Sequence, residues 1–192
     1  MQKAHGLDSL SLAAALGVRE PRMKDPWENR IRPELKHITS LFENKVLGAF
    51  MSGHLVLESI LVQMLETQPK EGDGGRYFKW SFRRKVDASE SRGIIGKDAA
   101  DFLRGLNDVR NRLAHKLDTP ITFAEAFSLA ELAAGGGIDF SDETIYLDPE
   151  KSEQWYGIEG IIQEVFQNAA QDLLGFLDDD SYILEFVSAK KS

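Results

Sequence analysis

The spacing of apolar residues from Glu34 onward constrains the fold of this chain more than any other feature of its sequence. Apolar and small side chains recur there every three or four positions, which is the repeat of one face of an α-helix. In the first such stretch they are Leu35, Ile38, Phe42, Val46, Ala49, Gly53, Leu57, Ile60 and Met64. The repeat predicts one long amphipathic helix over residues 34–64, which must bury its apolar face against other helices.

The same repeat predicts three further principal helices, over residues 78–93, 97–118 and 153–176, each bounded by glycine, proline or a capping serine. We expect Phe78 and Phe82 of the second helix to lie in the core. We expect Ser152 to cap the fourth helix. The predicted fold class is therefore all-α, a bundle of four principal helices with short extra helices.

The segment between the third and fourth helices carries two smaller predictions. Thr122 and Glu125 have the spacing of a capping box, and three glycines at 135–137 end the short helix that this box starts. Residues 138–148 form either a small hairpin or a packed loop. The predicted domain organisation is an N-terminal arm or short helix over residues 1–33, which contain three prolines, and a helical domain over residues 34–192.

The 192-residue chain contains no cysteine, which excludes disulfides, thiol nucleophiles and thiolate metal sites and is typical of a reducing cytosol. Its histidines lack the spacing of a metal site, and neither a phosphate-binding loop nor a dinucleotide-binding motif is present, so we predict no metal and no cofactor. Charged residues interrupt the most apolar stretch before it reaches the roughly 18 residues of a membrane span. We therefore predict a cytoplasmic protein without a membrane segment.

Charge is unevenly distributed along the chain, whose formal net charge is -8. Residues 1–115 contain 19 Lys and Arg against 15 Asp and Glu, whereas residues 116–192 contain 4 against 16. The negative net charge argues against a general nucleic-acid binder, because such proteins are usually basic. The basic part can still accept a polyanion, while the acidic part repels one or attracts a basic partner.

One polar pattern on the predicted third helix points to chemistry. Arg110 and Asn111 are followed, after three residues, by His115. This Arg-polar-x3-His pattern resembles the motif of the HEPN superfamily, helical-bundle proteins that include prokaryotic toxins, defence nucleases and mannitol-repressor-like regulators. The resemblance extends in outline over residues 34–178. It implies a homodimer in which both copies of the arginine and the histidine line one cleft.

The resemblance also implies an activity, the metal-independent endonucleolytic cleavage of RNA through the ribose 2′-hydroxyl. By this analogy His115 would act as general acid or base, because imidazole exchanges protons near neutral pH. Arg110 would hold the phosphate, and Asn111 would orient the imidazole one helical turn away. On an ideal helix Arg110 and His115 lie about 140° apart, so a single chain does not bring them to one face.

Other interpretations of the same residues stay open. Asn111 and His115 are also an ordinary polar pair on an exposed helix face, with Arg110 paired to Asp108 or to another carboxylate. The chain is then a non-catalytic HEPN-fold regulatory module that binds a protein or a ligand. The acidic part and the N-terminal arm favour this alternative. A third interpretation is a toxin held inactive by a cognate antitoxin.

Residues 76–85 interleave five basic with four aromatic residues, a composition that suits backbone contact and base stacking on single-stranded RNA. With the two phenylalanines assigned to the core, the candidate RNA-binding residues are Lys79, Trp80, Arg83 and Arg84. The alternative for this segment is an ordinary solvated helix face.

Overall fold

The computed structural model of the chain describes residues 34–116 and 119–175, with the side chain of His37 excepted. This part of the chain is helical and contains no β-strand, which confirms the all-α fold class. Its helices are α1 (Leu35–Phe42), α2 (Lys45–Thr67), α3 (Phe82–Ser91), α4 (Lys97–His115), α5 (Phe123–Gly135), α6 (Thr144–Leu147), α7 (Pro149–Trp155) and α8 (Gly157–Gly175). The predictions for residues 1–33 and for the chain after residue 175 lie outside the described residues.

Helix α2 lies at the centre of the packing, in a compact unit that begins at Lys36. It contacts α3, α4 and α8, while α5 packs against both α4 and α8, so that these five helices surround one core. The buried apolar residues of α2 are Phe50, Leu57, Ile60, Leu61, Met64 and Leu65. Among the described residues α2 is also the one helix long and apolar enough, by length and composition, to cross a membrane. Of its most apolar stretch, 28% is buried in the core.

The predicted long first helix is divided into α1 and α2, which corrects the prediction of one continuous element. Asn44 occupies the break with an extended backbone, and its side chain accepts a hydrogen bond of 3.0 Å from the backbone N–H of Leu47. Asparagine stabilises a helix start in this way because it satisfies an otherwise unpaired amide. The repeat of three and four continues across the break, so periodicity alone did not reveal it.

The predicted second helix begins later than expected, which corrects the assignment of Phe78 to the core. Residues Tyr77–Lys79 form a 3-10 turn, and α3 starts only at Phe82, with Ser81 as its N-cap. Phe82 is buried as predicted, whereas Phe78 is 64% exposed and Tyr77 is buried in its place. The tighter turn rotates the chain relative to an α-helix, so Phe78 and Phe82 do not share a face.

The region from Thr122 to Ser152 follows the sequence predictions in part. The capping box of Thr122 and Glu125 is present, and α5 ends in the predicted glycines, with Gly137 at a φ of 87°. The hairpin alternative for residues 138–148 is wrong, because this segment is a packed loop ending in α6. Ser152 caps no helix. It is buried within α7, and its hydroxyl donates to the carbonyl of Ile145.

Gly53 allows α2 and α8 to pack closely. A Cβ atom at this position would lie 2.3 to 2.7 Å from ring carbons of Phe166, whose ring packs edge-on against Phe50. We expect Gly53→Ala to lower the free energy of unfolding by about 2 kcal/mol, because the added methyl group forces the buried ring of Phe166 to shift. Urea denaturation measures the change.

Gly48 provides the matched control on the same helix, since nothing lies within 4 Å of a Cβ atom placed there. Gly48→Ala should be neutral or should stabilise the protein by up to about 1 kcal/mol, because alanine is the better helix former. Equal stability of the two variants would contradict the close contact at Gly53.

Candidate functional site

The sequence motif lies in the second half of α4, and its first and last residues face different surroundings. Arg110 is half-buried and lines a cavity of about 350 Å³. His115 is the last residue of the helix, is exposed, and does not line this cavity. Within one chain the two residues therefore do not line the same cavity.

The cavity lies between α2, α3 and α4. Its lining combines two arginines, two asparagines, an ion-paired carboxylate and an aromatic pair, namely His54, Glu58, Ser81, Phe82, Arg83, Asn107, Arg110 and Asn111. A volume of about 350 Å³ falls at the lower end of the range of small-molecule sites, roughly 300–1,000 Å³. The cavity thus has the size and polarity to hold a small polar group.

The charge on Arg110 is not neutralised by a carboxylate of the described residues, in contrast to its neighbours on α4. Arg104 pairs with Asp87, Asp101 and Glu90, and Arg112 pairs with Glu125 at 2.8 Å. Among the described residues Arg110 forms no ion pair, so its predicted alternative pairing with Asp108 does not occur there. A half-buried guanidinium without a counter-ion favours an external anion.

Asn111 contacts the arginine of the motif rather than the histidine. Its Oδ1 accepts a hydrogen bond of 3.3 Å from Nη1 of Arg110. Within one chain this corrects the expectation that Asn111 orients the imidazole of His115. The contact instead restrains the guanidinium at the wall of the cavity.

The cavity lining includes five residues that the sequence analysis did not assign to a site, namely His54, Glu58, Ser81, Phe82 and Asn107. His54 and Glu58 lie one turn apart on α2 and line the cavity opposite the motif. The His54 ring is 4.2 Å from the ring of Phe82, with an interplanar angle of 34°. Oε1 of Glu58 lies 2.5 Å from Nζ of Lys85. Their four-residue spacing within an apolar stripe was the available sequence signal, because polar residues rarely occupy such a stripe unless they are partnered or functional.

Burial lowers the pKa of His54 from 6.5 to about 4, because the charged ring loses its hydration. Glu58 opposes this effect, while Arg110 and Lys85 lower the pKa further. The unfolded chain takes up a proton near pH 6.5 and the folded chain only near pH 4. We therefore expect the free energy of unfolding to fall by about 3 kcal/mol as the pH decreases through this window.

The variant His54→Phe isolates this effect, because it keeps an aromatic ring against Phe82 but cannot titrate. Urea denaturation of both proteins at about pH 7.5 and about pH 4.5 gives the comparison. The wild type should lose more stability than the variant. An identical loss in both proteins would show that His54 is not the group responsible.

The predicted RNA-binding residues are brought together in part. Trp80, Arg83 and Arg84 line a groove of about 560 Å³, which does not include Lys79. Cζ of Arg84 lies 3.9 Å from the centroid of the Trp80 ring, so that ring face is already covered by a cation–π contact. Lys79 lies instead beside Phe78, with Nζ 5.8 Å from the ring centroid. Arg83 lines both the groove and the cavity, and so connects the two surfaces.

Within residues 34–116 and 119–175, no three His, Cys, Asp or Glu side chains lie together as a metal-binding group. We compared the chain with protein-family models, with curated proteins and with solved structures, and none of the three comparisons found a match. The site is therefore interpreted from its own geometry.

Proposed function

We propose that this protein is a HEPN-like, metal-independent endoribonuclease of toxin or defence type, acting as a cytoplasmic homodimer. The observation that carries the proposal is the charge of Arg110 at the wall of a cavity, which no carboxylate of the described residues pairs with. The other arginines of α4 are neutralised by carboxylates, whereas this one is held by an amide that leaves its charge available. A phosphate of RNA is the anion that a guanidinium in this setting binds well.

The chemistry assigned to the motif needs only these side chains. His115 removes the proton of a ribose 2′-hydroxyl, and the resulting oxygen attacks the adjacent phosphorus. The bond from phosphorus to the 5′-oxygen breaks, and the leaving oxygen takes up a proton from an imidazolium. The products are a 2′,3′-cyclic phosphate and a 5′-hydroxyl. Arg110 stabilises the charge that develops on the phosphate oxygens, and Asn111 positions Arg110.

A second protomer is required because Arg110 and His115 of one chain face different surroundings. The exposed position of His115 at the end of α4 suits a group that contacts a partner or a substrate. Two-fold pairing of the α4 ends would place the arginines and histidines of both chains in one cleft.

The experiment that tests the function is incubation of the purified protein with single-stranded RNA in excess EDTA. Cleaved RNA with cyclic phosphate ends is the expected result, while DNA of the same sequence stays intact because it lacks the 2′-hydroxyl. Intact RNA with a folded, dimeric protein would refute the proposal. The oligomeric state is measured on the same sample by light scattering.

A second candidate function, a non-catalytic ligand-binding module, is favoured by one observation. A cavity of about 170 Å³ lies beside the C-terminal end of α4 and is lined mainly by apolar side chains, among them Val46, Leu47, Leu113 and Ile121. Such a lining suits a small apolar ligand rather than a polyanion. A dimer that binds a small apolar molecule and leaves RNA intact would support this candidate.

A further inference from the structure

His54 is a buried polar residue at the wall of the cavity. It is 3% exposed, and its Nε2 atom is buried without a hydrogen-bond partner. A buried polar atom normally has a partner, because leaving it unpaired forfeits the hydrogen bond that water would otherwise supply. His54 also lines the cavity that contains Arg110. A ligand bound in this cavity could supply the hydrogen-bond partner that Nε2 of His54 lacks.

The charges around the cavity select the class of that ligand. Arg83 and Arg110 line it, and neither forms an ion pair with a described residue. The one carboxylate in the lining, Glu58, is neutralised by the buried ammonium of Lys85. Two uncompensated guanidinium groups therefore leave the cavity positive, which favours an anion.

The remaining polar groups favour an anion with several acceptor oxygens. The side chain of Asn107 is largely buried in the cavity wall and forms no hydrogen bond with the described residues. It lies one turn before Asn111 on the same face of α4. An amide donor, an imidazole and two guanidinium groups around one space match the tetrahedral oxygens of phosphate better than a planar carboxylate.

We propose that the cavity of each protomer binds a phosphate group, held by the guanidinium groups of Arg83 and Arg110 and by a hydrogen bond donated from Nε2 of His54. The site shares Arg110 with the proposed nuclease but needs neither His115 nor a second protomer. Phosphate binding at this site can therefore be tested separately from RNA cleavage. The phosphate belongs either to an RNA chain or to a free nucleotide, and the experiment distinguishes the two.

The test follows the imidazole nitrogens of the full-length, ¹⁵N-labelled protein by NMR during titration with inorganic phosphate at neutral pH. The Nε2 resonance of His54, identified by its loss in His54→Gln, should move in a saturable manner. Further titrations use adenosine 5′-monophosphate and a short single-stranded RNA with 2′-O-methyl riboses, which cannot be cleaved through the 2′-oxygen. Tighter binding of the RNA assigns the phosphate to a polynucleotide, and tighter binding of the nucleotide assigns it to a small ligand.

Matched variants separate the site from general charge effects. Arg83→Gln and Arg110→Gln should each raise the Kd for phosphate at least about tenfold, because each removes a charged hydrogen bond. Arg76→Gln should leave it unchanged, since Arg76 is exposed and lies outside the cavity. His54→Phe should weaken binding, whereas His54→Gln should retain it, because the glutamine amide restores a donor near the position of Nε2.

Two results would overturn the proposal. The first is a His54 resonance that does not move at millimolar phosphate. The second is an equal loss of binding in Arg76→Gln and Arg83→Gln, which would indicate unspecific attraction. Arg83 is exposed, so its variant stays informative even if the replacements of His54 unfold the protein.

Discussion

Arg110→Ala is expected to slow RNA cleavage by at least about a hundredfold, because it removes the charge that stabilises the phosphate as the 2′-oxygen attacks. His115→Ala should reduce the rate by about 10²–10⁴-fold through loss of general acid–base catalysis. Neither replacement alters the core, since Arg110 is half-buried at a cavity and His115 is exposed. Initial rates on a fluorescent single-stranded RNA in EDTA measure both effects.

Two control variants show whether the loss of RNA cleavage is specific to the motif residues. Arg110→Lys keeps the charge but not the planar donor geometry, so it should retain part of the activity. Arg76→Ala removes an exposed arginine outside the cavity and should cleave like the wild type. Wild-type rates in both Arg110→Ala and His115→Ala would show that contaminating nuclease, or another site, is responsible.

Mixing the two inactive variants tests whether the chains share a cleft. A mixed dimer of Arg110→Ala and His115→Ala contains one intact arginine and one intact histidine, on different chains. If one arginine and one histidine act across the two-fold axis, random exchange of subunits should restore part of the wild-type activity, carried by the mixed dimers. A mixture that exchanges subunits and stays inactive would place both groups of a working site on one chain.

Helical periodicity and capping chemistry predicted the fold where the determining contacts are local. The Thr122 capping box lies within four residues, and its prediction was correct. The break at Asn44 was missed because the apolar repeat passes through it without interruption. The exposure of Phe78 was missed because a 3-10 turn changes the direction of side chains without changing their spacing.

The sequence analysis identified the motif on α4 and, separately, Arg83 as a candidate RNA-binding residue, but it did not bring the two to one cavity. Arg110, Asn111 and His115 are close in sequence, whereas His54 and Glu58 reach the cavity from α2, more than 50 residues earlier, and Arg83 reaches it from α3. No pattern of neighbouring residues in the sequence indicates that α2, α3 and α4 meet at this cavity. That Arg110 forms no ion pair within residues 34–116 and 119–175 is likewise a property of packing, since Arg104 and Arg112 on the same helix obtain partners from α3 and α5.

The ion pair of Glu58 and Lys85 joins α2 to α3 at the cavity. Replacing Glu58 should lower the free energy of unfolding much more than replacing Lys85. Lys85 is 1% exposed, while the side chain of Glu58 is 29% exposed. Glu58→Leu leaves a buried ammonium without a partner and should lower the free energy of unfolding by about 3 kcal/mol. Lys85→Met removes the buried charge and leaves a carboxylate that water can reach, so its cost should be below about 1 kcal/mol.

The double variant Glu58→Leu/Lys85→Met separates the lost ion pair from lost packing. Because it leaves no buried charge, it should recover most of the stability that Glu58→Leu loses, and urea denaturation of all four proteins completes the cycle. Additive losses would mean that the ammonium reaches water without Glu58. The pair would then not fix α3 against α2, and the position of Arg83 beside Arg110 would have to depend on the apolar contacts of Phe82 and Val86 alone.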